Sequence, residues 1–337
     1  MSSSPTLLTR PELIDLHPSP GDVCAAVGQG LARQPRQLSP WLLYDQQGSR
    51  LFEAICQQPE YHLTRLEKCL LQRHGSHIGH CCTEHSAAAP VTVVEFGAGG
   101  AHKVTPLLHA LQPAAYVALD ISATHVHTAC IGLQALHPQV SMVAICCDYE
   151  QLPALPDHLL LAGQRLGFFP GSSLGNCSRA GAVALLRHMA TLLGPGSLLL
   201  LGMDQPWSIP AMEAAYDDAA GVSARFARNL LLRLNRDLGA NFQPRHFAYQ
   251  ARWDASEQRI EMALVSQREQ VVSIPPLETV VHWASGERLI TEHSHKWSPE
   301  DVRNLARQAG WRAVGRWCDT QDRFSLHLME HGSLSQC

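Results

Sequence analysis

The sequence predicts an α/β protein with a mostly parallel β-sheet and a second, smaller α+β lobe. A Val-rich run, Val91 to Phe96, breaks at once into Gly97, Gly99 and Gly100, which is typical of a buried strand that enters a tight turn before a helix. Strand and helix signals then alternate as far as Gly202. Beyond Gly202 the stretch HFAYQARWDASEQRIEMALVSQ alternates around a polar turn, which indicates an antiparallel hairpin outside a simple doubly wound sheet.

The alternating region resolves into five strands and three helices. The predicted strands are Val91 to Phe96, Tyr116 to Asp120, Val143 to Cys147, Leu166 to Pro170, and Ser197 to Gly202, and the helices are Lys103 to Leu111, Thr124 to Leu136, and Ala180 to Leu193. In such a sheet, ligands bind beyond the carboxyl ends of the strands.

The rest of the chain predicts the second lobe and a return to the sheet. The expected elements are one long helix over Ala211 to Leu238, a strand pair within Thr279 to Lys296, a helix over Pro299 to Ala309, and a closing hairpin of Trp311 to Cys318 with Phe324 to Met329.

The glycine turn points to a bound nucleoside. Asp120 ends the next predicted strand, roughly 20 residues on, where a carboxylate can accept hydrogen bonds from ribose hydroxyls. The turn departs from G-x-G-x-x-G because His102 stands at the last position. Together with Glu95 just before the turn, this favours S-adenosylmethionine (SAM) over a dinucleotide. From the residues alone, a dehydrogenase and a purely structural turn remain alternatives.

Composition limits the class of protein. The chain has 337 residues, of which 45% are hydrophobic and 17% charged, and this composition is typical of globular proteins. A formal net charge of −4 gives no electrostatic reason to expect nucleic acid or an anionic membrane as a partner. With no apolar run of membrane-spanning length and no secretory pattern at the N-terminus, we expect a cytoplasmic protein.

The 11 cysteines are odd in number, and several lie in predicted core strands, so we interpret them as buried thiols in a reducing compartment. A segment at positions 74–85 is rich in potential zinc ligands: His74, His77, His80, Cys81, Cys82 and His85. Helical spacing would place three histidines on one face, but a CxxC pair is absent. We therefore predict no metal site.

Five stretches resemble the histidine-specific SAM-dependent methyltransferases. They are YDQQGSRLFEAICQQPEYHLTRLE, EFGAGGAHK, FFPGSSLGN, AYDDAAGVSARFARNLLLRLNRDLGANF and RLITEHSHKW, within a similarity that runs from about Trp41 to Met329. The resemblance implies a class I (Rossmann-like) methyltransferase with a mostly parallel seven-stranded sheet. It also implies a discontinuous division, with residues 66–205 and 297–337 binding SAM and residues 1–65 and 206–296 forming a substrate-binding lobe.

The resemblance assigns the cofactor residues. It places Gly97 and Lys103 in the SAM loop, Asp120 on the ribose, and Asp148 with Tyr149 at the adenine.

It also assigns the substrate residues, with the amino acid bound between the lobes. Asn176 and Tyr216 are expected to bind the α-carboxylate, since an amide and a phenol both donate hydrogen bonds. Glu292 and Ser294 are expected to bind the imidazole ring, and residues at i and i+2 of a strand share a face. An apolar amino acid would leave these groups unpaired, which provides selectivity.

The resemblance places Tyr44 and Tyr61 near the substrate amine as catalytic residues, with Phe52 on the same wall. It also makes Tyr61 the fifth substrate-binding residue. A phenol, or a water that it holds, can pass on the proton that the amine must lose. Aromatic faces also stabilise quaternary ammonium groups. Asp217 and Asp218 are interpreted as charges in the first turn of the long helix rather than as catalytic groups.

The resemblance implies Nα-methylation of L-histidine by SAM, up to three times, giving the trimethylated product hercynine of ergothioneine-type biosynthesis. The expected partner is a small-molecule amino acid, and we expect a monomer. The alternatives are a related enzyme for tryptophan or a modified histidine, and a catalytically silent binding protein with the same fold.

Overall fold

The computed structural model describes residues 8, 10–16, 18–85, 90–156 and 163–332. The chain divides into two compact units, each of them discontinuous. The first comprises residues 1–17, 63–206 and 296–337, and the second comprises residues 18–62 and 207–295. Strands and helices are numbered along the whole chain.

An eight-stranded sheet forms the centre of the first unit. Its strands are β1 (Glu12–Leu16), β3 (Val91–Phe96), β4 (Ala115–Asp120), β5 (Ser141–Cys147), β6 (Gln164–Phe169), β7 (Leu198–Asp204), β13 (Trp311–Cys318) and β14 (Phe324–His331). The spatial order is β1-β5-β4-β3-β6-β7-β14-β13. The first six of these strands run parallel, while β14 is antiparallel to β7 and β13 is antiparallel to β14. This is the α/β class that the sequence predicts.

The described part of this unit contains five α-helices: α3 (His62–Glu84), α4 (Thr105–Leu111), α5 (Ala123–Leu136), α6 (Arg179–Leu193) and α9 (Pro299–Gln308). Strands β5 and β7 are buried along their whole length, as expected for parallel strands that are covered on both faces. Apolar side chains of α6 and α9 pack with those of the central strands in one hydrophobic core. Ser178 and Ser298 cap the N-termini of α6 and α9 with their hydroxyl groups, which fixes where these helices begin.

Strand β1 corrects two expectations. Glu12–Leu16 pairs in parallel with β5, so this strand belongs to the first unit and not to the substrate-binding lobe in which the sequence analysis placed residues 1–65. It also gives the sheet eight described strands instead of seven. A short strand such as ELIDL at an edge carries a weak sequence signal, because one of its sides has no neighbouring strand.

The sheet reverses its order beside β3. Its neighbours are β4 on one side and β6 on the other, and the chain reaches β6 only after it has added β4 and β5. The carboxyl ends of strands at such a reversal form the usual ligand-binding crevice of open α/β sheets. The glycine turn follows β3 at this point.

The second unit contains two small sheets and four helices. A four-stranded sheet has the order β2-β12-β9-β8, and β10 pairs with β11 in a separate ribbon. The elements are α1 (Pro20–Leu31), β2 (Arg36–Gln37), α2 (Gln46–Cys56), α7 (Ile209–Tyr216), α8 (Val222–Leu238), β8 (Phe247–Asp254), β9 (Arg259–Ser266), β10 (Gln270–Ile274), β11 (Thr279–Trp283) and β12 (Arg288–His295). The predicted hairpin corresponds to β8 and β9, which pair antiparallel.

Two predictions for this unit were wrong. The long helix over Ala211 to Leu238 is interrupted at residues 217–221, where Gly221 adopts a φ of 67° before α8 begins. The expected strand pair within Thr279 to Lys296 does not form, because β11 pairs with β10 whereas β12 pairs with β9 and β2.

The cysteines that the structure describes form no disulfide; four of them are buried, five are half-buried, and Cys69 is exposed. The segment at positions 74–85 continues α3, where the His80 ring lies 3.2 Å from the Glu84 carboxylate. Within the described ranges, no group of three His, Cys, Asp or Glu side chains is arranged to hold a metal ion. No helix in the same ranges is both long enough and apolar enough to span a membrane.

Candidate active site

The glycine turn is held against the end of the neighbouring strand. The backbone N–H groups of Gly97 and Ala98 donate to the carbonyl of Leu119, at 2.9 and 3.0 Å. The N–H of Gly99 donates to the Asp120 carboxylate at 2.8 Å. Gly97 and Gly99 have φ values of 72° and 52°, in the left-handed region that side chains disfavour. The turn therefore depends on glycine and brings its backbone to the carboxylate assigned to ribose.

Two predicted cofactor carboxylates lie at strand ends. Asp120 ends β4 and also accepts from the N–H of Ser122 at 3.0 Å, while Asp148 follows β5 and accepts from the N–H of Glu150 at 3.0 Å. Burial raises the pKa of both carboxyl groups, although these hydrogen bonds act in the opposite direction. Both side chains have fixed orientations, as a hydrogen-bond acceptor for a nucleoside requires.

Tyr149 lies beside the glycine turn. A Cβ atom added at Gly97 would lie 3.8 Å from the Tyr149 ring, so the ring is within van der Waals distance of the turn. The ring makes edge-to-face contacts with Phe96 and Phe169, at centroid distances of 5.9 and 6.1 Å. These contacts fix the orientation of the ring.

Lys103 is held by a carboxylate that the sequence analysis did not single out. Its Nζ atom lies 2.9 Å from Oε2 of Glu67, which is fully buried on α3. The same carboxylate accepts from the N–H of Gly171 at 3.0 Å. Asn176 lies a few residues further on, half-buried in the short helical turn Ser173–Asn176.

In the second unit, five aromatic rings form a continuous cluster. Tyr44 contacts Phe52 and Phe226 at centroid distances of 5.5 and 5.4 Å. Tyr61 contacts Phe52 at 6.3 Å and Tyr216 at 5.9 Å. The structure thus brings together the three tyrosines predicted on the substrate side and the wall residue Phe52.

Polar groups of β12 lie at one end of this cluster. Glu292 and Ser294 are both buried, and the Ser294 hydroxyl is 2.7 Å from the Tyr216 hydroxyl, with either group able to donate. Glu292 is close enough to Tyr61 to contribute to the rise in the pKa of that phenol. Four of the five predicted substrate residues therefore lie together in the second unit, while Asn176 belongs to the first.

The phenol of Tyr61 stays neutral. Burial is the largest cause that raises its pKa well above 10, and Tyr216, Cys56, Tyr44 and Glu292 add to the effect. A phenolate at this position is therefore unfavourable at neutral pH. The group can pass a proton through its hydroxyl, but it does not provide a permanent negative charge.

Three further residues support the predicted ones, and sequence reasoning missed them. Glu67 interrupts a buried stripe of α3 that includes Leu63, Leu70 and Leu71, and a carboxylate on an apolar face is a usable signal. Tyr249 donates from its hydroxyl to the carbonyl of Tyr216 at 2.7 Å. Phe226 on α8 completes the aromatic cluster.

The paired acids after Tyr216 have a structural role. The Asp218 carboxylate accepts from the N–H groups of Val222 and Ser223, at 2.8 and 2.7 Å, and so caps α8. Asp217 ends α7. The interpretation of both as charges in the first turn of one long helix was wrong, because the helix is broken between them and Val222.

The first unit has the features that SAM requires. An added Cβ at Gly99 would meet no atom within 4 Å, so the turn leaves open space beside the Asp120 carboxylate. A cation, a carboxylate and an aromatic ring are available from Lys103, Asp120 and Tyr149. These groups match an amino-acid tail, a ribose and an adenine.

Comparisons with known proteins agree with this chemistry. A family model described as histidine-specific methyltransferase, SAM-dependent, matches residues 23–331. The chain is 36% identical over 306 residues to the histidine N-alpha-methyltransferase of Mycolicibacterium smegmatis, with 90% of this chain and 92% of that protein covered. The protein of the same name from Mycobacterium tuberculosis is 34% identical over 307 residues, with the same coverage. Ergothioneine biosynthesis protein 1 of Neurospora crassa is 28% identical over 322 residues, covering 89% of this chain and 34% of that protein.

Proposed function

Because the chain belongs to the histidine-specific SAM-dependent methyltransferases, we propose that it methylates the α-amine of L-histidine. Repeated transfer to the same nitrogen gives N,N,N-trimethylhistidine (hercynine), the precursor in ergothioneine-type biosynthesis. The likeness to ergothioneine biosynthesis protein 1 supports this pathway.

The observation that carries the proposal is the buried set of Glu292, Ser294 and Tyr216 beside aromatic rings. Ser294 can serve one imidazole nitrogen while the carboxylate of Glu292 accepts from the N–H of the other. A hydrogen bond from a ring N–H to a carboxylate is among the stronger ones, so a substrate without a ring N–H would bind less tightly.

We propose that one set of residues binds the cofactor and another binds the substrate. Gly97, Lys103, Asp120, Asp148 and Tyr149 bind the cofactor. When bound, SAM supplies an electrophilic methyl group whose leaving group is a neutral thioether. No charge on the leaving group has to be stabilised, so alignment of the amine carries much of the rate acceleration.

For the substrate, Asn176 and Tyr216 donate hydrogen bonds to the α-carboxylate. Tyr44 and Tyr61 lie near the α-amine, where the hydroxyl of Tyr61, or a water that it holds, accepts the ammonium proton as it releases its own proton to solvent. As methyl groups accumulate, the aromatic faces of Tyr44 and Phe52 stabilise the cationic product.

We propose further that the protein is a monomer and acts in the cytoplasm. The absence of disulfides among the described cysteines, four of which are buried, supports a reducing compartment. Light scattering on the purified protein measures its mass, and 37.0 kDa is the value expected for a monomer.

Mass spectrometry of a reaction with purified protein, SAM and all twenty amino acids tests the function. We expect a gain of one to three methyl groups on histidine alone. Methylation of tryptophan would overturn the assignment of Glu292 and Ser294. If no amino acid gains a methyl group but the protein binds S-adenosylhomocysteine (SAH) tightly, the result favours a modified histidine or a silent binding protein.

A further inference from the structure

Glu67 is a buried charge that connects three parts of the first unit. It projects from α3, its side chain is fully buried, and it binds Lys103 after β3 and the backbone of Gly171 after β6. These are the two loops that flank the reversal point of the sheet. A buried carboxylate with two such partners has one favourable position.

Two glycines make room for this arrangement. A Cβ at Gly202, on β7, would lie 2.0 Å from Oε1 of Glu67, so a side chain there would displace the carboxylate. A Cβ at Gly171 would lie 2.9 Å from Nζ of Lys103, and Gly171 has a φ of 79° that disfavours other residues. The backbone is thus shaped around the carboxylate and the ammonium group together.

We propose that Glu67 is a positioning residue for SAM binding, which acts by fixing the ammonium group of Lys103. This inference rests on the proposed function, since it assumes that Lys103 binds the carboxylate of the cofactor. An ammonium group has three donors, so its bond to Glu67 is compatible with a second bond to the cofactor. A lysine side chain without such a partner samples many rotamers, and ordering it on binding reduces affinity.

The variant Glu67→Gln separates the two contacts of Glu67. Glutamine keeps a carbonyl oxygen that accepts from the N–H of Gly171, but its neutral amide no longer attracts Lys103. The dissociation constant for SAH, measured by calorimetry without histidine, is expected to rise about tenfold, the loss typical of one charge-assisted hydrogen bond. The matched control is Glu84→Gln, the same change at an exposed position of the same helix, and its affinity is expected to equal that of the wild type.

Kinetics distinguish positioning from a general loss of structure. For Glu67→Gln, KM for SAM is expected to rise while KM for histidine stays within about twofold, because the hydrogen bond to the loop that leads to Asn176 is kept. Equal increases in both constants would overturn the proposal in favour of a structural role. In the background of Lys103→Gln, adding Glu67→Gln is expected to cause no further loss of SAH affinity, whereas additive losses would contradict action through Lys103.

Glu67→Asp provides a second variant if the glutamine protein does not fold. It keeps the charge but shortens the side chain by one methylene, so it cannot reach both partners, and SAH affinity is expected to fall. Wild-type affinity in this variant would overturn the proposal. A wild-type protein that binds no SAH would overturn the proposed function and this inference together, whereas an unchanged Glu67→Gln protein would overturn the inference alone.

Discussion

At the scale of single residues, the Tyr216 hydroxyl is the group whose removal is most informative. Tyr216→Phe keeps the ring contact with Tyr61 but removes the hydroxyl that bonds Ser294. We expect kcat/KM for histidine to fall about ten- to hundredfold, because the proposed hydrogen bond from Tyr216 to the substrate carboxylate is lost. Steady-state kinetics at saturating SAM measure the change.

The neighbouring Tyr249 offers a matched control. Its hydroxyl donates to the backbone carbonyl of Tyr216. Tyr249→Phe therefore also removes a phenolic hydroxyl, but one that contacts Tyr216 and is not proposed to contact the substrate. A loss of less than about fivefold is expected, corresponding to one neutral hydrogen bond. Equal losses in both variants would argue that Tyr216 acts through the packing of α7 alone.

Glu95, at the end of β3, predicts a pH-dependent stability. Burial is the largest effect on this side chain and raises the pKa of its carboxyl group from 4.5 to about 8, while the Tyr116 hydroxyl and Lys103 act to lower it. Between these values the folded protein holds a proton that the unfolded chain has released. The stability contributed by this group therefore decreases as the pH rises from about 4.5 to 8.

The variant Glu95→Gln tests whether the carboxyl group of Glu95 lowers the stability of the folded protein as the pH rises. Glutamine does not ionise and can still accept from Tyr116. Its melting temperature is therefore expected to exceed that of the wild type by a margin that grows between pH 5 and pH 8. Thermal melts at three pH values measure this margin. A margin that is constant, or that shrinks as the pH rises, would show that the carboxyl group titrates normally in the folded protein.

At the scale of elements, the start of α8 depends on one carboxylate. Asp218→Ala removes the acceptor for the N–H groups of Val222 and Ser223. The loss of such a cap typically costs about 1–2 kcal/mol, so a decrease of several degrees in melting temperature is expected. Asp217→Ala is the control, since no backbone hydrogen bond at the start of α8 depends on it, and its melting temperature should change less. Equal melting temperatures for Asp218→Ala and Asp217→Ala would show that the cap of α8 does not contribute to stability.

The strands β3 to β7 could be predicted from the sequence to within about two residues because they are buried on both faces and read as continuous apolar runs. The break before α8 was missed because its sequence, DDAAG, includes two helix-favouring alanines, and the capping by Asp218 depends on the three-dimensional turn. The pairing of β12 was missed because alternation identifies a strand but not its partner.

For the site, physical reasoning from the sequence located Asp120 and the glycine turn at strand ends. The roles proposed for Tyr216, Glu292 and Ser294 came from the family resemblance, since none of them has a sequence pattern that indicates a role. Glu67 was not identified, because its partners are 36 and 104 residues away along the chain.

At the scale of the whole molecule, a buried ion pair joins the two chain segments of the first unit that flank residues 207–295. Nζ of Lys296 lies 2.7 Å from Oδ2 of Asp204, and both side chains are fully buried. Lys296→Met leaves the carboxylate without this cation. Breaking a buried pair in this way costs about 3–5 kcal/mol, so the melting temperature is expected to fall by roughly 10 °C.

The double variant Asp204→Asn with Lys296→Met is expected to recover much of this loss, because no unpaired charge remains buried. The exposed pair of Arg179 and Asp301 is the control, and Arg179→Met should cost less than about 1 kcal/mol. The measurement is the melting temperature of the wild type, Lys296→Met, the double variant and Arg179→Met. A double variant as unstable as Lys296→Met would mean that the lysine stem, and not its charge, is what the fold requires.

The distribution of the thiols makes the protein suitable for labelling at one chosen point. Burial raises the pKa of Cys82, Cys130, Cys146 and Cys147 to about 12, so at neutral pH these thiols stay protonated and unreactive. Cys69 is exposed on α3, two residues beyond Glu67. Once Cys337, which lies outside the described residues, is replaced by serine, a maleimide dye should react fastest at Cys69. The dye would then report by fluorescence on the helix that carries Glu67, with the buried cysteines left unchanged.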